Sequence, residues 1–286
     1  MRWTATATFL CFAVCGPPSI THAGSRLLGS NGVMQVEGAA GGGLVPWALI
    51  AGLATRGEVG ASASCTRVEP EDFSLLSCGA ALGFDDRLEL SFARQEFDLG
   101  TTVPGESIRL DVIGAKVRIL GDAIFGASKW LPQIAVGMQY KENRDYDLVP
   151  KLLGARDASS VDYYVAATKV FIDGIAGRML LVNATLRATE ANQLGLLGFG
   201  GDEGEGYSVQ PEFSVGVFLT DQIVVGAEYR FKPDNLSVFE EDDFSDVFVA
   251  WIPYKSIALT VAYARLGTIA DKEDQKGLYG SLQLAF

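Results

Sequence analysis

Hydrophobic and polar positions alternate with a period of two along most of the chain. Ile223, Val225, Ala227, Tyr229 and Phe231 share one face of their segment, and Val224, Gly226, Glu228, Arg230 and Lys232 share the other. Ser208–Leu219 sets Val209, Phe213, Val215, Val217 and Leu219 against Gln210, Glu212, Ser214 and Gly216. Gln133–Lys141 repeats the pattern with Ile134, Val136, Met138 and Tyr140. Such alternation marks strands whose two faces meet different surroundings. It predicts strands near 33–39, 45–55, 58–68, 73–84, 87–97, 108–119, 132–141, 160–170, 178–189, 208–219, 222–232, 246–252, 256–266 and 278–286.

A soluble sandwich would also alternate, so the connections carry the next step. Those at 142–159, 190–207, 233–245 and 267–277 are long and polar, whereas 84–87, 219–222 and 253–256 are tight. One end of the sheet thus carries short turns and the other long loops, the layout of outer-membrane barrels. The connection 120–131 is longer than that rule expects. The fold class predicted is all-β, an antiparallel transmembrane up-and-down barrel of about fourteen strands, with twelve as the alternative. Its short turns would be periplasmic and its long loops extracellular.

The two ends of the chain agree. Residues 5–17 form an apolar run after Arg2, and Thr21-His22-Ala23 offers small residues at the −3 and −1 positions. This reads as a cleaved secretory signal peptide, residues 1–23, leaving a barrel of residues 24–286. The run is too short to cross a bilayer as a helix. At the other end, Leu278, Leu282, Leu284 and Phe286 alternate with Tyr279, Ser281, Gln283 and Ala285. A final strand ending on Phe286, with Leu284 and Leu282 on its apolar face, resembles the signal read by the barrel-assembly machinery. Aromatic residues fall at both ends of the strands: Phe84, Phe171, Trp251 and Phe286 at one, Trp47, Phe97, Tyr140 and Phe231 at the other.

Several segments also resemble a bacterial family filed as a domain of unknown function and taken to be outer-membrane barrels. They are 36–47 (VEGAAGGGLVPW), 90–95 (LSFARQ), 143–150 (NRDYDLVP), 192–201 (NQLGLLGFGG), 232–236 (KPDNL) and 278–283 (LYGSLQ). The resemblance implies a location and a fold. It transfers no catalytic or binding residue; the partners expected of such a barrel are outer-membrane lipids and lipopolysaccharide.

Composition narrows the function classes. A formal net charge of −12 disfavours nucleic acid, whose phosphates need an excess of Lys and Arg. The single histidine, His22, lies in the leader. Without imidazole, familiar hydrolase chemistry and most metal sites lack a part, so no enzyme activity and no cofactor are expected. The acidic runs 200–206 and 240–243 lack calcium-loop spacing and read as solvated charge. Gly41-Gly42-Gly43 lacks the strand–loop–helix setting of a phosphate cradle. Cys65 and Cys78 fall in neighbouring strands on the outward face, where a cross-strand disulfide and two small thiols are both compatible with the pattern.

Sorting inward positions gives a lopsided lumen. One arc is small: Gly60, Ser62, Ser64, Thr66, Ser77, Gly79, Ala81, Gly83, Ala258, Thr260, Ala262 and Ala264. The opposite arc carries Arg109, Asp111, Lys116, Arg118, Lys141, Asp162, Arg187, Glu212, Glu228, Arg230 and Lys232, with a bulge expected near Val112-Ile113. That excess of cations predicts a wet interior mildly favourable to anions. Small residues cannot fill so wide a barrel, so water or a folded-in segment must. The candidates are Gly24–Asn31 and the loops 142–159 and 190–207, the latter two carrying apolar patches odd for solvated loops. The function expected is a passive, porin-like channel for small solutes. The alternatives are a closed barrel with a structural or surface role and a carrier of hydrophobic cargo.

Overall fold

The computed structural model describes residues 32–125, 128–204 and 206–286. The leader and the plug candidate 24–31 lie outside these residues. The strands are β1 (Val33–Met34), β2 (Ala40–Gly41), β3 (Val59–Pro70), β4 (Ser74–Phe84), β5 (Leu88–Asp98), β6 (Ser107–Leu120) and β7 (Gln133–Asn143). They continue as β8 (Ser159–Ile175), β9 (Arg178–Thr189), β10 (Ser208–Phe218), β11 (Ile223–Arg230), β12 (Phe244–Tyr254), β13 (Ile257–Ile269) and β14 (Lys272–Ala285). Among the described residues, twelve of these fourteen, β3 through β14, close into an antiparallel barrel, and β14 pairs with β3. Closure leaves no unpaired strand edge in the hydrocarbon layer.

Alternation becomes a two-sided wall. Along β5 each outward residue is exposed and each inward one buried. Leu90, Phe92, Ile113, Val165, Val249 and Val261 stand exposed on the outside, as do Leu282 and Leu284 of the last strand. A continuous apolar exterior fits acyl chains, not water. Trp130 packs edge-on to Phe171 at 5.8 Å near the short-turn end, where Trp251 and Phe286 also lie exposed. Cys65 and Cys78 are direct partners in the β3–β4 ladder and form a disulfide.

Four features differ from the pattern-based reading. First, the segments read as strands at 33–39 and 45–55 are not in the wall. Every residue from Gly32 to Gly52 is buried, whereas a barrel strand exposes every second side chain. They form an irregular hairpin inside the lumen, paired to itself at Val33↔Gly41 and Met34↔Ala40 and by a bridge at Gly41↔Pro46. Trp47 goes with it, and Phe97 faces inward, so neither belongs to the outer aromatic belt.

Second, β6 has no bulge at Val112-Ile113. Its ladder with β5 runs unbroken from Leu88↔Val117 to Asp98↔Ser107, and the irregularity falls between Arg118 and Leu120 on the β7 side. Ile108, Leu110 and Val112 are therefore the inward set, because they meet an apolar filling.

Third, Arg109 and Asp111 consequently point outward. Arg109 forks onto Asp145 at 2.7 and 2.9 Å, and Asp111 accepts from Arg94 at 2.6 Å and Arg144 at 2.9 Å.

Fourth, 267–277 is no long loop. β13 and β14 continue to a two-residue turn at Ala270-Asp271, steadied by the Asp242 carboxylate on Thr268 and by Gln275 on Asp72.

The exterior assignment predicts that Val261→Arg, placing a cation against acyl chains, destabilises the folded barrel in lipid vesicles by about 2–4 kcal/mol if it sits near the midplane. Reversible denaturant titration measures it, and no loss of stability would contradict the lipid-facing assignment.

Candidate functional site

The lumen of a twelve-stranded barrel has a backbone radius of about 12 Å, from strands ~4.8 Å apart tilted ~40°. Residues 32–54, here the plug, occupy it. Both ends of the plug lie at the short-turn end: Gln283 donates to the Gly32 carbonyl, Gly52 donates to Ser62, and Leu53 donates to the Phe286 carbonyl. The tip, Val36–Gly38, reaches the long-loop half, where Ser77 and Gln95 both donate to the Val36 carbonyl. Gly38 turns the chain there with φ +88°, and an added Cβ would lie 3.0–3.1 Å from Ala93 and the Phe92 backbone.

Most wall groups that hold the plug bind its backbone. Glu89 accepts from the Ala40 and Ala51 amides at 3.1 and 2.8 Å. Lys116, paired with Glu89, donates to the Ala40 and Trp47 carbonyls. Glu228 accepts from the Leu44 amide at 2.7 Å, Thr168 from the Ala48 amide, and Thr185 donates to the Pro46 carbonyl. These contacts satisfy amides and carbonyls that would otherwise be buried unpaired at a cost of several kcal/mol each. The triple glycine makes the approach possible. A Cβ on Gly42 would sit 1.9 Å from Glu228 Oε1, and one on Gly83 of the wall would sit 2.2 Å from the Ala51 carbonyl. The arc of small side chains therefore borders a polypeptide, not a wide water column.

Two plug side chains are read individually. The Trp47 indole donates to Ser214 at 2.9 Å. Glu37, fully buried, meets three wall cations. Arg230 donates at 2.6 and 3.4 Å, Arg187 lies at 3.6 Å, and Lys141 bonds it directly; Gln35 of the plug adds a 2.7 Å bond. Two wall carboxylates complete the cluster. Asp162 binds Lys141 at 2.6 Å and Arg187 at 3.2 Å; Glu212 binds Arg187 at 2.6 Å and Arg230 at 3.3 Å. Gln139 accepts from Arg187 at 2.6 Å, and the Arg187 guanidinium lies 5.3 Å from the Tyr164 ring centre.

Above the tip, the connection 190–207 folds across the mouth. A 3-10 turn at Asn192–Gly195 leads into Leu196, Leu197 and Phe199, all buried. Lys141 donates to the Leu194 carbonyl at 3.1 Å, and Asn143 donates to the Gly195 and Leu196 carbonyls. Leu148, Val149 and Leu153 of the 142–159 connection pack against the same core. Gln193 joins the mouth through Lys232 at 3.1 Å and the Glu241 carboxylate at 3.2 Å. Burial pushes the Glu241 carboxyl up and the Lys232 ammonium down, and their 3.4 Å pairing works against both shifts. A cavity of about 40 Å³, lined by Val36, Leu44, Phe97, Leu194 and Leu196 among others, remains between plug and cap.

The structure thus brings Lys116, Lys141, Asp162, Arg187, Glu212, Glu228, Arg230 and Lys232 into the interior. Arg118 sits half-buried at the short-turn rim on Asp86, at 2.6 Å. Arg109 and Asp111 stay outside. The cationic surplus expected from the pattern is absorbed, since Lys141, Arg187 and Arg230 each meet carboxylates. Sequence reasoning missed Glu37 and Glu89. The available signal was that Glu37 is the last charged residue before a run, 38–55, without any.

These features define an antiparallel transmembrane β-barrel of the outer-membrane type, with its lumen occupied by its own N-terminal segment. The chain belongs to the family described as protein of unknown function (DUF3034), whose model matches residues 30–283. No curated protein matches it. In fold it is similar to the KdgM porin, at 10% identity and TM-score 0.51, covering 79% of this chain and 99% of that one. It is also similar to the NanC porin (8% identity, TM-score 0.49, covering 79% and 98% of the two chains). An outer membrane channel from Pseudomonas putida F1 gives 9% identity and TM-score 0.47, covering 82% and 97%.

Gly42→Val should lift the plug turn off Glu228 and speed hydrogen exchange at the Ala40, Leu44 and Ala48 amides. Gly280→Ala, where an added Cβ meets nothing within 4 Å, should not. Equal protection in both variants would mean the plug is not seated as described.

Proposed function

We propose that the protein is a gated channel of the bacterial outer membrane for small polar solutes. In this reading the chain is exported, its leader is cleaved after Ala23, and its short turns face the periplasm. Lipid and lipopolysaccharide surround the wall, and the last strand, with Leu282, Leu284 and Phe286, is presented to the assembly machinery. The resting state is shut by the plug and by the cap at 190–207.

One observation carries the proposal. The plug is a hairpin inserted from a single mouth, with both ends at that mouth, so it can leave without threading through the barrel. Its polar contacts over the lower half are hydrogen bonds to Glu89, Lys116, Thr168, Thr185 and Ser62, which water can replace, while Val33, Val45, Trp47 and Leu49 pack in an apolar cluster that must be given up. The wall exposed by its departure carries the polar stripe of Glu89, Lys116, Thr168, Thr185 and Glu228 beside an apolar one of Leu181, Phe218, Val224, Phe248 and Ile252, so the passage is wet along one side. A second reading, a permanently closed barrel, is favoured by the complete burial of Gly32–Gly52.

Liposome swelling separates the two. Intact protein should admit sugars slowly, and a variant lacking 33–50 should admit them several-fold faster. A folded deletion variant as impermeable as bare lipid would refute the channel. Intact protein that never conducts while the deletion variant does would favour the permanently closed barrel.

A further inference from the structure

The cluster around Glu37 has a charge balance that specifies a ligand. On the wall, Lys141, Arg187 and Arg230 carry three positive charges against two negative ones on Asp162 and Glu212. Among the groups in ionic contact one positive charge is left over, and Glu37 of the plug supplies the single negative charge that cancels it; the neighbouring buried carboxylates Glu228 and Asp246 form no ion pair with the three cations. The donors are fixed by other bonds. Arg187 is held by Glu212, Asp162 and Gln139, and Lys141 by Asp162 and the Leu194 carbonyl, none of them plug residues. Arg230 keeps its 3.3 Å pairing with Glu212, and its bonds to Glu37 and the Leu44 carbonyl are the ones a ligand would take over.

We propose that these three residues form a carboxylate-binding site of the channel, and that Glu37 is a built-in stand-in for a monocarboxylate solute. The proposal rests on the reading that the plug can leave. When Glu37 withdraws, the site keeps one unmatched positive charge and the Arg230 fork that gripped its two oxygens at 2.6 and 3.4 Å. A small carboxylate fits both. A neutral sugar leaves the charge unmatched, and a dianion exceeds it. Lys141 links the site to the cap as well as to the plug tip, so a solute carboxylate seated here competes with Glu37 beneath the loop that closes the mouth. Charge-assisted bonds from the Arg230 fork supply the selectivity.

The test is chemical rescue. Glu37→Ala removes the stand-in and keeps the wall. Propionate should raise the melting temperature of that variant relative to sodium chloride at equal ionic strength, whereas glucose and methylammonium should not. Wild-type protein, its site already filled, should not respond. A propionate effect no larger than that of chloride, or equal in wild type and variant, would overturn the site.

The variant lacking 33–50 gives a second readout should Glu37→Ala fail to fold. There labelled propionate should bind, and Arg230→Gln should weaken it at least about tenfold, the loss of a charge-assisted pair; unchanged affinity would also overturn the site. Propionate binding in a deletion variant that passes no solute would refute the channel and leave the site standing. A conducting variant that binds no propionate would do the reverse.

Discussion

Three cations enclosed together in this barrel need carboxylates to match them, and that requirement extends from the wall to the segment inside it. Lys141, Arg187 and Arg230 cannot be neutralised by Asp162 and Glu212 alone, and Glu37 completes them. Removing one partner from such a set is costly, because the remainder stays buried with unmatched charge. The same bond therefore fixes the depth of the plug tip and the state of the lumen.

The rest of the interior follows from admitting a polypeptide there. An irregular segment exposes amides and carbonyls that no ladder satisfies, so the wall offers Glu89, Lys116, Thr168, Thr185 and Glu228 at the heights where they emerge. Close approach needs side chains that stay out of the way, which accounts for Gly42 on the plug and Gly83 on the wall. Toward the long-loop end the filling turns apolar, with Ile108, Leu110 and Val112 of β6 meeting Leu194, Leu196 and Phe199 of the cap. The plug is held by polar bonds to its backbone as well as by apolar packing, whereas the cap is held mainly by apolar packing. Only the polar part exchanges with water, and the apolar part of each closure must be lifted against the hydrophobic effect.

The wall was legible because period-two alternation has one cause, a face in lipid and a face in the lumen. Each of the twelve barrel strands overlaps a segment that the pattern marks, although β14 begins at Lys272, inside the connection expected at 267–277. The plug was less legible because a short Gly-rich stretch can mimic alternation; what it lacks, an outward face, shows only once burial is known. The arc of Gly, Ala and Ser did signal a filler, but 32–54 is the segment that does it. Arg109 and Asp111 lie on the side opposite to the one the bulge expected at Val112-Ile113 gives them, because the apolar cap makes Leu110 an inward residue. Glu37 carried no local motif at all. Its meaning comes from cations contributed by β7, β9 and the end of β11, which only barrel closure brings together.

The most direct measurement is solid-state NMR of the intact protein in lipid bilayers, reading the dipolar contact between the Glu37 carboxyl carbon and the Arg230 guanidinium nitrogens. The account predicts a strong, rigid contact, matching a nitrogen–oxygen distance of 2.6 Å. A Glu37 side chain that is mobile, water-exposed and without that contact would contradict it.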